Sequence, residues 1–263
     1  MANINGTNAG EVLVGTADAD VINGLGGDDI LVGEAGNDVL DGGDGFDIAE
    51  FASATDRVIV DLLAGGASGD ASVGVDTLIS IEGVIATDFD DLLFGFNGDP
   101  GGDPNAFETF EGLAGDDIID GRGGLDFASY SLSPLGVTIN LGNSLDNDDG
   151  FGGRDILFGI EGVIGSDFGD RLIGGSSADI LQGGLGDDIL TAGAGDDVDG
   201  GGDIDVFELA SEGGRFIVDL GAGVFTPNVG QAGTIANVEN INGTTFNDIF
   251  TGDGLANELR CTT

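Results

Sequence analysis

The sequence is most unusual for what it lacks. Its 263 residues include no His, no Trp, one Cys, four Pro and only six basic residues, against 49 acidic ones. The single cysteine, Cys261, excludes an internal disulfide framework. Without His, and with one Tyr and one Cys, the usual acid–base and nucleophilic groups are scarce. We therefore predict that the chain is not an enzyme.

The charge and the hydropathy place further limits on function. A net charge of −43 disfavours nucleic acid as a partner. No apolar run approaches the roughly 18 residues of a membrane span, so membrane insertion is not predicted. The first residues, Met1 to Gly6, have neither a basic region nor an apolar core, so a Sec-type signal is not predicted either.

The acidity conflicts with folding unless cations neutralise it. A chain of this charge repels itself and tends to stay unfolded. Yet 40% of its residues are hydrophobic, which is ordinary for a folded domain. Both observations are satisfied if divalent cations bind the carboxylates as the chain folds.

A nine-residue unit, or nonad, organises the chain. Residues 24–50 read GLGGDDILV, GEAGNDVLD and GGDGFDIAE, with the pattern Gly-x-x-Gly-x-Asp-x-U-x, where U is usually large and apolar. Position eight and its neighbours predict a strand of about three residues, too short to be stable alone. The other six residues predict a turn in which Gly permits positive φ. Its carbonyl oxygens and the position-six Asp form a hard-cation site suited to calcium, and two stacked turns supply the six to eight oxygens that calcium takes.

The nonads form tracts that alternate with inserts in a longer repeat. Asp47, Asp126 and Asp205 are 79 residues apart, as are Asp61, Asn140 and Asp219. We predict one solenoid over residues 1–263, in which the inserts continue the solenoid as calcium-poor turns. The predicted nonad tracts are 6–50, 86–129, 165–208 and 243–260, and the inserts are 51–85, 130–164 and 209–242.

These repeats resemble the RTX, or haemolysin-type, calcium-binding repeat of secreted bacterial proteins. The resemblance is carried best by residues 24–50, 112–129 and 174–191. It implies an all-β fold: a right-handed parallel β-roll or β-helix solenoid with two nonads per coil and several Ca2+ ions between stacked Gly- and Asp-rich turns. The position-six residues that it implies as metal ligands are Asp20, Asp29, Asp38, Asp47, Asp91, Asp117, Asp126, Asp170, Asp179, Asp188, Asp197, Asp205 and Asp248.

The resemblance also implies which ligands share an ion. Position-six residues two nonads apart would face the same ion. The best predicted pairs are Asp20/Asp38, Asp29/Asp47, Asp170/Asp188 and Asp179/Asp197, with Glu108/Asp126 a poorer pair because Glu is longer. Asp197 and Asp205 are eight residues apart instead of nine, which predicts a local irregularity there.

Two further residue types recur with the long repeat. Phe89, Phe168 and Phe246 each precede a position-six Asp by two residues. They are candidates for a row of ligand-stacking rings, but we predict that they belong to the core. Glu82, Glu161 and Glu239 are predicted to have a structural role, accepting hydrogen bonds from backbone donors at a coil edge.

Two functions fit these observations. The first is a calcium-binding module of a secreted or surface protein, folded by extracellular calcium, with a structural, adhesive or polysaccharide-contacting role. The second is a self-assembling extracellular protein, a surface layer or fibre, formed by end-to-end stacking into a homo-oligomer or polymer. Both predict calcium as a partner and an extracellular or cell-surface location.

Overall fold

The structure is a computed structural model that describes residues 1–98, 107–145, 147–210 and 214–261. Within these ranges the regular structure consists of β-strands and turns, with no helix. The all-β prediction is therefore confirmed. The chain divides into two compact units, Met1–Ser129 with Gly152–Ile160, and Tyr130–Phe151 with Glu161–Thr263.

The described residues contain no helix with the length and apolarity needed to cross a membrane.

The first unit contains two sheets built from short strands. Their bounds are β1 Asn3–Asn5, β2 Val12–Val14, β3 Val21–Gly26, β4 Ile30–Val32, β5 Val39–Asp44, β6 Ile48–Glu50, β7 Ile59–Asp61, β8 Gly66–Ser68, β9 Val75–Ile79, β10 Gly83–Ile85, β11 Leu92–Phe94, β12 Glu108–Glu111, β13 Ile118–Asp120, β14 Asp126–Ser129 and β17 Arg154–Phe158. One sheet has the order β1-β3-β5-β9-β8-β7-β11-β13-β17, and the other β2-β4-β6-β10-β12-β14.

The second unit repeats this arrangement. Its strands are β15 Thr138–Asn140, β16 Asn147–Asp148, β18 Gly162–Ile164, β19 Arg171–Ile173, β20 Ile180–Gly184, β21 Ile189–Ala192, β22 Asp197–Gly201, β23 Val206–Leu209, β24 Phe216–Asp219, β25 Val224–Pro227, β26 Gly233–Ala236, β27 Asn240–Asn242, β28 Ile249–Thr251 and β29 Glu258–Arg260. One sheet has the order β16-β15-β19-β21-β23-β27-β29, and the other β18-β20-β22-β26-β25-β24-β28.

Successive nonads contribute strands to alternate sheets. Ile22 of β3 therefore pairs in parallel with Leu40 of β5, whereas Leu31 of β4 pairs with Leu13 of β2. Each pair is 18 residues apart, so one coil contains two nonads. The nonad tracts thus fold as the parallel β-roll that the repeat predicts.

The inserts remain in the sheets but introduce antiparallel strands. In the first insert, β7 pairs antiparallel with β8, and β8 with β9, whereas β7 and β9 pair in parallel with nonad strands. Strands β24, β25 and β26 repeat this arrangement in the third insert. The prediction of additional calcium-poor coils did not include these hairpins.

The Asp61/Asn140/Asp219 series stabilises the start of each insert hairpin. The Oδ1 atoms of Asp61 and Asp219 accept hydrogen bonds from backbone N–H groups three residues later, at 3.0 Å. Asn140 accepts one from Gly142 at 2.9 Å. These short polar side chains form local turns, which accounts for their spacing of 79 residues.

In the nonad tracts, the core consists mainly of the position-eight side chains. Leu31, Leu40, Leu172 and Leu181 are fully buried, and each follows a half-buried residue in its strand. Because successive strand residues point to opposite faces, one apolar side chain per nonad suffices to fill the interior. Rows of these residues, one from each coil, form the core of each unit.

Candidate metal centre

The position-six carboxylates are buried beside the core. Of the 13 predicted ligands, 11 have side chains in residues that are at most 3% exposed. These eleven are Asp20, Asp29, Asp38, Asp47, Asp91, Asp117, Asp126, Asp170, Asp179, Asp188 and Asp205. Asp248 is half-buried and Asp197 is exposed.

Consecutive coils are linked by these carboxylates in a ladder. The backbone N–H of Asp20 donates to Oδ1 of Asp38 at 2.7 Å, and that of Asp29 donates to Asp47 at 2.9 Å. In the second unit, Asp170 donates in the same way to Asp188 at 2.7 Å. Three of the predicted pairs are therefore adjacent, and each carboxylate already uses one oxygen to hold the coil before it.

The pair Glu108/Asp126 is also adjacent. The two residues are direct partners in the parallel pairing of β12 with β14, and both are buried.

The predicted pair Asp179/Asp197 is wrong, because Asp196 occupies the ladder position. The backbone N–H of Asp179 donates to Oδ1 of Asp196 at 3.0 Å, and Asp196 is buried. Asp197 instead lies on the exposed side of β22 and accepts a hydrogen bond from Thr234. The shortened nonad therefore lies between Asp188 and Asp196, which are eight residues apart, whereas Asp196 and Asp205 are nine apart. With this phase Val198 takes position eight and is buried, so no Asp enters the core.

Two insert residues that sequence reasoning missed belong to the ladder. The Oδ1 atom of Asp76 accepts the N–H of Asp38 at 2.8 Å, and that of Asp155 accepts the N–H of Asp117 at 3.1 Å. Both carboxylates are buried. In the sequence, both residues belong to a partial nonad, Gly-x-Asp-x-Leu, at residues 74–78 and 153–157. Each of these Asp residues lies 38 residues after the position-six Asp of a complete nonad.

The recurring glutamates extend the ladder as well. Oε2 of Glu82 accepts the N–H of Asp47 at 3.0 Å, and Oε2 of Glu239 accepts the N–H of Asp205 at 2.9 Å. The predicted role as an acceptor for backbone donors is confirmed at these two positions.

The recurring phenylalanines do not belong to the core. Phe89, Phe168 and Phe246 are 40%, 46% and 50% exposed. Each occupies position four of its nonad, within the turn, where the side chain projects outward. The prediction of a core role was wrong because the turn, and not the strand, contains these residues.

Several ladder carboxylates have a second oxygen without a hydrogen-bond partner. Among the described residues, the atoms with neither solvent contact nor a hydrogen-bond partner include Oδ2 of Asp29, Asp38, Asp47, Asp76, Asp188 and Asp205. A buried carboxylate oxygen without a donor is costly, and a bound cation removes that cost.

Carbonyl oxygens face the same position. A Cβ atom added to Gly183 would lie 2.1 Å from Oδ2 of Asp188 and 2.4 Å from the carbonyl oxygen of Gly200 in the next coil. Gly24 is placed identically, with Oδ2 of Asp29 at 2.3 Å and the carbonyl oxygen of Gly42 at 2.4 Å. Carboxylate and carbonyl oxygens therefore converge against these two position-one glycines, with no room for a side chain.

Burial without a counter-charge raises the pKa of several ladder carboxyl groups. Desolvation raises the pKa of Asp76 and Asp188 to about 7, and that of Asp205 to about 6. Nearby carboxylates contribute to the raised pKa of Asp188 and Asp205, although less than desolvation does. Asp20 differs: hydrogen bonds from the backbone of Ala2 and from the Thr16 hydroxyl lower its pKa. The buried ladder therefore holds negative charge poorly unless a cation accompanies it.

The donor set fits calcium. It consists of carboxylate and carbonyl oxygens, with no nitrogen or sulfur ligand, and calcium accepts such oxygens in flexible geometry. No three His, Cys, Asp or Glu side chains converge in the ranges that the structure describes. An ion here would take the rest of its oxygens from turn carbonyls, with Asp29, Asp38, Asp47, Asp188 and Asp205 as the carboxylate ligands.

Comparison with known protein families decides the identity of the repeat. The family described as the RTX calcium-binding nonapeptide repeat matches in four copies, at residues 5–40, 14–49, 106–128 and 164–199. The chain carries RTX calcium-binding repeats. The RTX matches contain most of the ladder residues of the nonad tracts, and they omit Asp91, Asp205 and Asp248 as well as Asp76 and Asp155 of the inserts. No curated protein sequence matches the chain significantly.

Proposed function

We propose that the chain is a secreted RTX module that extracellular calcium folds, and that serves as a structural, adhesive or polysaccharide-contacting part of a surface or secreted protein. The observation that supports this proposal is the ladder of buried carboxylates. A net charge of −43 opposes folding, and the ladder places part of that charge inside the protein. At neutral pH, bound cations relieve both costs together.

Calcium concentration then controls where the chain folds. Extracellular modules of this kind bind calcium with dissociation constants of about 10⁻⁴–10⁻³ M. Free calcium inside a cell is far below this range, so the chain is unfolded there and folds outside. No catalytic role forms part of the proposal.

The test is a calcium titration followed by far-ultraviolet circular dichroism. Starting in EDTA, calcium is added to about 10 mM, and magnesium at the same concentrations is the control. We expect a cooperative transition from coil to β structure near the millimolar range with calcium alone. A β spectrum already complete in EDTA would contradict the proposal.

The alternative function, assembly of solenoids end to end, is supported by the terminal strands. In the described part of the chain, β1 pairs only with β3, and β29 only with β27. All three residues of β29 and two of the three residues of β1 are exposed, and Val12 of β2 is 62% exposed. Such edges template pairing with another copy. Light scattering of the calcium form tests this alternative: a strictly monomeric protein across a concentration series rules it out.

A polysaccharide role has a separate support and a separate test. The exposed Phe89, Phe168 and Phe246 rings present apolar faces on turns. Aromatic rings of this kind provide contact area for a ligand. Binding of the calcium form to a panel of uronate and neutral polysaccharides, lost in the variant with all three Phe→Ala substitutions, would support that role. Binding that the substitutions leave unchanged would exclude these rings as the contact.

A further inference from the structure

The nonad turns are of two kinds, which differ at position two. In the first kind, here called hydroxyl turns, position two is a Ser or Thr whose hydroxyl donates a hydrogen bond to the ladder acid four residues later. Hydroxyl turns contain Thr7, Thr16, Thr87, Ser166 and Thr244 at position two. In the second kind, here called open turns, the backbone at position two has a positive φ. Open turns with an unpartnered carboxylate oxygen contain Leu25, Glu34, Gly43, Gly184 and Gly201 at position two.

Hydroxyl turns provide the carboxylate with donors of their own. Both the N–H and the hydroxyl of Thr16 donate to Oδ2 of Asp20, at 2.7 Å each. Ser166 donates its N–H to Oδ2 of Asp170 at 2.6 Å and its hydroxyl to Oδ1 at 2.8 Å. Thr87 and Thr244 do the same for Asp91 and Asp248.

Open turns provide no such donor. Leu25 and Glu34 have φ values of 76° and 62°, and Gly184 has 104°. In these turns Oδ2 of the ladder Asp, four residues later, is buried and has no hydrogen-bond partner among the described residues. The two kinds of turn therefore hold the same side chain at the same ladder position, with its second oxygen satisfied in one kind and unsatisfied in the other.

We infer that position two decides which turns bind calcium: open turns bind an ion, and hydroxyl turns are closed without one. In a hydroxyl turn, an ion must displace the hydrogen bonds that the turn donates to the carboxylate before it can reach the oxygens. In an open turn the oxygen has no competitor, and binding removes an unpaired buried charge. This inference rests on the proposed calcium function and selects among its predicted ligands.

The assignment divides the predicted ligands and adds one. Asp29, Asp38, Asp47, Asp188 and Asp205 lie in calcium-binding turns, whereas Asp20, Asp91, Asp170 and Asp248 do not. Asp76 joins the first group although Ser72 stands at position two. The Ser72 hydroxyl donates to Asp70 instead, and Oδ2 of Asp76 has no partner. The contact, and not the residue type alone, is therefore decisive.

Two matched pairs of variants test the assignment. Asp188→Asn alters an open turn, and Asp170→Asn alters the hydroxyl turn directly before it in the same ladder. Calcium bound per chain is measured by equilibrium dialysis of the full chain against saturating calcium chloride. We expect Asp188→Asn to lose about one ion and Asp170→Asn to keep the wild-type number. Loss of an ion from Asp170→Asn, or none from Asp188→Asn, would overturn the inference.

A second pair guards against a variant that does not fold. Asp29→Asn lies in an open turn of the first unit and Asp20→Asn in a hydroxyl turn, and the same difference of about one ion is expected between them. If Asp188→Asn lacks a β spectrum in calcium, this pair decides. Wild-type protein without bound calcium would defeat the proposed function itself. If the wild type binds calcium but both variants of a pair lose the same number of ions, the inference fails and the proposed function stands.

Discussion

The coupling between the apolar core and calcium binding can be measured with one substitution. Leu181 of β20 is fully buried, and its neighbours in the adjacent coils are Val163 and Val198. Leu181→Ala removes contacts on both sides, and such substitutions cost about 2–5 kcal/mol. We take about 3 kcal/mol as the expected loss in the free energy of unfolding.

That loss fixes the expected shift in calcium requirement. If calcium binds only the folded chain, each ion offsets about 1.4 kcal/mol per tenfold rise in calcium concentration. A loss of about 3 kcal/mol then raises the folding midpoint about tenfold when two ions bind, and about fourfold when four ions bind. The size of the shift therefore also reports how many ions bind with folding.

Two assays and one control complete the experiment. Urea unfolding in saturating calcium gives the loss in stability, and circular dichroism during a calcium titration gives the midpoint. Leu185→Ala is the control, because Leu185 is four residues away but 52% exposed. We expect it to change stability by less than about 0.5 kcal/mol. A destabilised Leu181→Ala protein with an unchanged calcium midpoint would refute coupled folding.

Three further predictions follow from contacts in the ladder and its surroundings. Gly183→Ala places a Cβ against Oδ2 of Asp188 and should raise the calcium midpoint of folding. Gly193→Ala is the control and should leave the midpoint unchanged, because a Cβ there has no neighbour nearer than 3.8 Å. Equal midpoints for the two variants would contradict the packing argument. In EDTA the raised pKa of Asp188, about 7, makes its protonated form the stable one, so β structure should be greatest below about pH 4 and should decline as the pH rises through 7. A metal-free spectrum that does not change between pH 4 and 8 would argue against this. Arg122→Lys should lose the two-pronged contact with Asp61, at 2.8 and 2.9 Å, and lower the free energy of unfolding by about 1 kcal/mol; an unchanged urea midpoint would mean that the ion pair contributes nothing.

The repeat could be predicted from the sequence because its physics is local. Gly at positions one and four, Asp at six and an apolar residue at eight lie within nine residues, so position-eight burial and the 18-residue pairing follow directly. Eleven of the thirteen predicted ligands are buried for the same reason. The exposed Asp197 shows the limit of this reasoning. A one-residue deletion shifted the phase, and two adjacent Asp residues left open which one faces inward.

The inserts were harder to predict because their contacts are not local. Asp76 pairs with Asp38 across 38 residues, and nothing in its own turn except Gly-x-Asp-x-Leu marks that partner. The hairpins β7–β8 and β24–β25 also interrupt the coil period, which a count of nonads cannot detect. Phe89, Phe168 and Phe246 were predicted wrongly because residue type was given more weight than position within the turn.

The carboxylate ladder has a direction. In every hydrogen bond of this kind, the backbone donor belongs to the earlier coil and the carboxylate to the later one, as with Asp20 and Asp38 or Asp170 and Asp188. A coil near the N-terminus is thus completed by the coil that follows it, and repeat folds are stabilised by such nearest-neighbour contacts. In a chain that emerges N-terminus first, the most recently formed coil therefore always has an unsatisfied donor, which gives the growth of the solenoid a polarity.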